Sequence, residues 1–138
     1  MQTADLSVHL SVKECADGAV AVVKLKDAFL NYASSEGLLT GLKDVCREKS
    51  ARGVRGFAVD LSAVTVMDSC GLSMLIAMKK TAEAAGAKLS VFGLSPMVRR
   101  LFSVTKLEGV FRIRDDERSA VAAALGADAP AGATPATR

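Results

Sequence analysis

Histidine, cysteine and tryptophan are scarce in this 138-residue chain, with one, three and none respectively. The lone His9 lies in an alternating, strand-like stretch with no second histidine nearby. This argues against a histidine-built metal site and reads better as a half-exposed strand residue. Cys15, Cys46 and Cys70 are odd in number and widely spaced, which suits a reducing compartment. The N-terminus carries no basic segment followed by an apolar run and cleavage site, and the expectation is a reducing cytoplasm. Apolar stretches are too short and interrupted to span a bilayer. A formal net charge of +3 is too small to imply a nucleic acid partner. The basic pairs Arg99-Arg100 and Arg112, Arg114 have no interleaved aromatics and read as solvated faces or partner contacts.

Catalytic patterns are also missing. No glycine-rich phosphate loop follows any strand, and there is no Gly-x-Ser-x-Gly elbow to activate a serine. Asp60, Asp68 and Ser69 lie near one another in sequence, but the histidine is far upstream. The reading is therefore not an enzyme, with neither cofactor nor metal.

What is present is a regular succession of elements in one domain, with 50% hydrophobic residues to build a core. Leu6, Val8, Leu10 and Val12 alternate with polar residues, Ala16-Asp17-Gly18 supplies a turn, and Val20 to Leu25 is a second apolar run, together a hairpin. After a polar interval with Ser34 and Ser35, Leu38, Leu39, Leu42, Val45 and Cys46 recur at helical spacing until Arg52-Gly53. Gly56 to Leu61 has the continuous apolar pattern of a buried parallel strand.

A helix over Ser69 to Ala85, apolar on most of its first three turns, comes next. A strand at Lys88 to Phe92, a helix opening at Ser95-Pro96, a strand at Val110 to Arg114 and a helix over Glu117 to Leu125 complete the series. The fold class is α/β: a mixed sheet of about five strands with helices packed against it over residues 1–125. From residue 126 to 138 the alanine, glycine, proline and threonine of the chain are too poor in large apolar groups to repay ordering, and a disordered tail is expected.

The most informative stretch is Val66-Met67-Asp68-Ser69-Cys70-Gly71-Leu72-Ser73-Met74, which places a hydroxyl at a helix N-terminus just after a strand. Asp68 is the natural N-cap, and Gly71 lets another backbone or a partner approach closely. Two readings stand on these residues: Asp68 and Ser69 simply begin a helix, or Ser69 is a switch.

Val59-Asp60-Leu61-Ser62 followed by Val64-Thr65-Val66-Met67-Asp68-Ser69-Cys70-Gly71-Leu72 resembles the pattern of STAS domains, specifically bacterial anti-sigma factor antagonists. The resemblance continues through Ala84 to Leu89 and Ser95 to Phe102, and covers roughly residues 6 to 125. It implies that Ser69 is phosphorylated by a partner anti-sigma factor that is itself a serine kinase, and is dephosphorylated by a metal-dependent serine phosphatase. It further implies a partner surface around Asn31, Asp68, Ser69, Leu72, Met74 and Met78, with Arg99 and Arg100 contributing charge. Unphosphorylated, such a protein binds the anti-sigma factor and frees a sigma factor; phosphorylated, it lets go. The rival within the resemblance is a STAS scaffold or accessory subunit of a stress-sensing complex or a lipid-transport ABC system.

The chain departs from the family pattern twice. Ala28-Phe29-Leu30-Asn31 stands where the family has Gly-x-Leu-Asp, so an amide replaces a carboxylate near the serine. Cys70 stands where serine or alanine is more usual, and reads as a small apolar filler rather than a redox sensor.

Overall fold

Two short extended runs joined by a turn open the fold. The computed structural model describes residues 10–30 and 32–126; Leu6, Val8, His9, Asn31 and the 127–138 tail lie outside the described residues. Strands β1 (Leu10–Cys15) and β2 (Val20–Leu25) pair antiparallel, with Leu10 opposite Leu25 and Cys15 opposite Val20. The turn carries three consecutive positive φ angles, at Ala16 (55°), Asp17 (57°) and Gly18 (84°). Of these, Gly18 adopts that conformation without steric cost.

The remaining elements are β3 (Phe29–Leu30), α1 (Tyr32–Ala51), β4 (Gly56–Asp60), β5 (Val66–Met67), α2 (Ser69–Ala84), β6 (Lys88–Phe92), α3 (Pro96–Val104), β7 (Arg112–Arg114) and α4 (Glu117–Ala124). The main sheet runs β1-β2-β4-β6-β7, and every pairing after the hairpin is parallel. A five-stranded mixed sheet with helices against it is therefore what the sequence pattern implied. The β3–β5 parallel pair forms a separate two-stranded ribbon that the pattern did not reveal. The polar interval around Ser34 and Ser35 belongs to the opening turns of α1, which begins at Tyr32. The last strand is shorter than expected, because Val110 and Phe111 turn back onto Leu107 through backbone hydrogen bonds.

Alternation divides the sheet into two faces. Ala21, Val23, Phe57, Val59, Leu89, Val91 and Ile113 pack beneath the apolar residues of α1, α2 and α3, among them Leu42, Leu75 and Phe102. Phe102 and Phe111 meet edge to face, ring centroids 5.3 Å apart. On the opposite face Val20, Val22, Ala58 and Phe92 are covered by Ala120 and Ala124 of α4. Two devices seat that helix. A side chain on Gly56 would lie 2.2 Å from the Ala124 carbonyl oxygen, so glycine is required beneath it. The buried Ser90 hydroxyl donates to the Ala120 carbonyl at 2.6 Å, satisfying its own polar group within the core. Among the described residues no helix is long and apolar enough to cross a membrane.

Candidate functional site

Ser69 lies where the carboxyl ends of the parallel strands meet the ribbon. Strand β4 ends at Asp60, whose Oδ1 accepts from the Ser62 backbone N–H at 2.8 Å and fixes the turn that follows. The Leu61 N–H donates to the Phe92 carbonyl at 3.0 Å, and buried Val64 pins the loop to the core. The chain then enters β5, where the N–H groups of Thr65 and Val66 donate to the Ala28 carbonyl at 2.8 and 3.1 Å.

The Asp68 N–H donates to the Leu30 carbonyl at 3.0 Å. Its side chain caps α2: Oδ1 accepts from the N–H groups of Cys70 (2.9 Å) and Gly71 (3.1 Å). Asp68 is thus the N-cap that the sequence indicated, with two of the free donors of the first turn already taken. A side chain on Gly71 would meet the Leu30 carbonyl oxygen at 2.7 Å and its Cβ at 2.8 Å. The close approach at Gly71 is that of the chain's own strand β3. Ser69, the first residue of α2, is exposed.

Three of the residues assigned to a partner surface are elsewhere. Leu72, Met74 and Met78 are 6%, 1% and 0% exposed, within the core. Their helix is apolar on several sides because it packs against α1 as well as against the sheet, so its apolar residues face inward in two directions. They support the site from beneath and offer no surface to a partner.

Exposed apolar side chains are found instead on the segments that pack beside β5. Phe29, 49% exposed, sits opposite half-buried Val66 in the β3–β5 ribbon. Helix α3 packs beside β5 and presents Met97 at 58% exposure. Its N-cap Ser95 ties the two together, donating to the Thr65 carbonyl and accepting from the Val98 N–H, both at 3.3 Å. Phe29 and Met97 were not singled out in the sequence. A signal existed for Phe29, since it lies inside the segment aligned with the family's Gly-x-Leu-Asp. Arg99 and Arg100 are exposed on α3, and Arg99 is within 3.6 Å of the Asp115 carboxylate. Asn31, between β3 and α1, lies outside the described residues.

Chemically, the arrangement presents the Ser69 hydroxyl next in sequence to a carboxylate whose Oδ1 is occupied by two backbone donors. Among the described residues no cluster of three or more His, Cys, Asp or Glu could hold a metal ion. Cys70, beside Ser69, is half-buried, whereas Cys46 is fully buried in α1 and desolvation pushes its thiol up to about 12.

Comparison with known proteins places these features in context. The family model for the STAS domain matches residues 12–120. A STAS-domain containing protein of Pseudomonas aeruginosa is 33% identical over 66 residues, covering 48% of this chain and 65% of that protein, just under two thirds of its length. An anti-sigma-B factor antagonist of Listeria monocytogenes is 28% identical over 99 residues, covering 72% of each chain. Among solved structures, an anti-sigma factor antagonist from Mycobacterium paratuberculosis superposes with a TM-score of 0.70 at 22% identity, covering 84% of this chain and 92% of that one. The Bacillus cell fate determinant SpoIIAA in its phosphorylated form shares the fold at a TM-score of 0.58 and 16% identity, covering 80% and 93%.

Proposed function

The chain belongs to the STAS domain family, and from that premise we propose that it is an anti-sigma factor antagonist switched by phosphorylation of Ser69. In this reading the unphosphorylated protein binds a serine-kinase anti-sigma factor in the cytoplasm and frees a sigma factor. The kinase phosphorylates Ser69 and so releases itself, and a metal-dependent serine phosphatase resets the switch. The chain itself performs no catalytic step. The anti-sigma factor antagonist of Listeria and the phosphorylated SpoIIAA fold support the reading.

The observation that carries it is the exposure of Ser69 on a helix N-terminus whose next two N–H groups are held by Asp68. A phosphate there adds about −1.5 to −2 charge. With the Cys70 and Gly71 donors engaged, that charge stands out toward solvent beside the Asp68 carboxylate. A partner that buries Phe29, Met97 and a neutral Ser69 hydroxyl must then desolvate an unpaired dianion. This costs several kcal/mol, and about 1.4 kcal/mol is already tenfold in affinity.

The test is incubation with the anti-sigma factor kinase of the same cell and ATP, followed by intact mass and peptide mapping. One phosphate on Ser69, lost in Ser69→Ala, with Ser69→Ala retaining the kinase in a pull-down and the phosphorylated protein releasing it, is the expected result. A stable complex that never acquires phosphate would overturn the switch and assign the chain to a STAS scaffold.

A further inference from the structure

The two faces of the sheet are closed by very different means. On one, α1, α2 and α3 bury leucines, methionines and Phe102. On the other, the eight residues of α4 bury Ala120, Ala123 and Ala124 completely, with Val121 and Leu125 partly buried at the margins. Alanine brings little apolar area to a contact, and the free energy of burial scales with that area. Helix α4 is therefore held more lightly than the helices opposite.

Its polar attachments are as slight. The Ser90 hydroxyl donates to the Ala120 carbonyl, and the Lys13–Glu117 ion pair, 3.0 Å apart, is exposed on both sides and contributes little. Against these stands a cost. Arg112 lies opposite Ser90 on the same face, in a strand that α4 also packs against, and its buried Nε has no acceptor among the described residues. A donor buried without a partner disfavours the closed arrangement, and water would satisfy it once the helix lifted.

Chain order permits that movement. Helix α4 follows every strand, so its departure breaks no strand pairing. Exposed Asp115 and Asp116 join it to β7. Asp116 caps the helix from within the same segment, accepting from the Ser119 N–H at 2.8 Å, and this cap needs nothing from the sheet.

We propose that α4 is a detachable cover, lifting from the sheet as one unit and baring Val20, Val22, Ala58 and Phe92 while the opposite core stays packed. The movement is separate from the Ser69 surface and does not depend on the identity of the protein partner.

Amide hydrogen exchange of the full chain at low urea concentrations, followed by NMR, reads the opening directly. The amides of Val121 to Ala124 should share one urea slope, smaller than that of the Phe57 to Val59 amides, with protection at least about tenfold weaker. Ile76→Val trims the opposite core. It should weaken protection in β4 about fivefold and leave α4 unchanged, because Ile76 stays packed when the cover lifts. Gly56→Ala prevents closure, since the added methyl would lie 2.2 Å from the Ala124 carbonyl oxygen. That variant should lose protection in α4 and keep it in β4, α1 and α2.

Exchange of α4 on the β4 slope, or slope-free exchange of its amides one by one, would overturn the proposal. So would equal acceleration of α4 and β4 in Ile76→Val, global unfolding of Gly56→Ala, or unaltered α4 protection in that variant.

Discussion

Gly71 and Leu30 are packed so closely that a methyl group on Gly71 would lie 2.7 Å from the Leu30 carbonyl oxygen. That oxygen also accepts the Asp68 N–H, so one carbonyl fixes both the cap of α2 and the distance of the helix from β3. Gly71→Ala must push these elements apart. A loss of about 1–3 kcal/mol is expected in urea unfolding, and an unchanged midpoint would show that the ribbon yields freely.

Asp68→Ala removes the acceptor for the Cys70 and Gly71 N–H groups. The expected cost is about 1 kcal/mol, with Asp68→Asn recovering most of it, since an amide oxygen serves as an N-cap nearly as well as a carboxylate. Denaturant unfolding of the two variants side by side checks this; equal losses would point to the charge rather than the cap.

Ser69→Asp, by contrast, should leave stability within about 0.5 kcal/mol of the parent, because the residue is exposed and the added negative charge sits at a helix N-terminus. Calorimetry would reveal it. A large destabilisation would mean that the loss of partner binding in this variant reflects unfolding.

Cys15 and Cys70 are half-buried and Cys46 is fully buried, so a thiol reagent should label the first two in the native protein and the third only on unfolding. The Cys46 thiol is raised from 9.0 to about 12 by desolvation. The unfolded chain therefore gives up this proton first, and the contribution to stability is complete below about pH 9 and declines as pH rises toward 12. Rapid native labelling of all three thiols would contradict the burial.

Ala16, with φ 55°, occupies a conformation that disfavours a Cβ. Ala16→Gly is expected to stabilise the hairpin by about 0.5–1 kcal/mol, the relief of left-handed strain less the extra flexibility of glycine in the unfolded chain. Thermal unfolding gives the sign directly.

Legibility in the sequence followed the range of the interactions. The Asp68 cap and the Ser95-Pro96 helix start are local, and each is written within four residues. The apolar block Phe57 to Val59 declared a strand covered on both faces. Strands β3 and β5 were invisible because two residues each have no periodicity, and they exist through pairing of Leu30 with Met67. Leu72, Met74 and Met78 misled because periodicity reports that a helix has several apolar sides without saying which are covered. Once α1 is seen to lie against α2, all three are accounted for as core.

The seating of α4 on Gly56 and Ser90 also has a bearing on biosynthesis. Val20 and Val22 emerge from the ribosome early, but the alanines that cover them, Ala120 and Ala124, are translated after every strand of the sheet. Until then one apolar face of the nascent sheet stands open while the other can already close under α1 and α2. The interval between those two events is when the newborn chain is most in need of a chaperone.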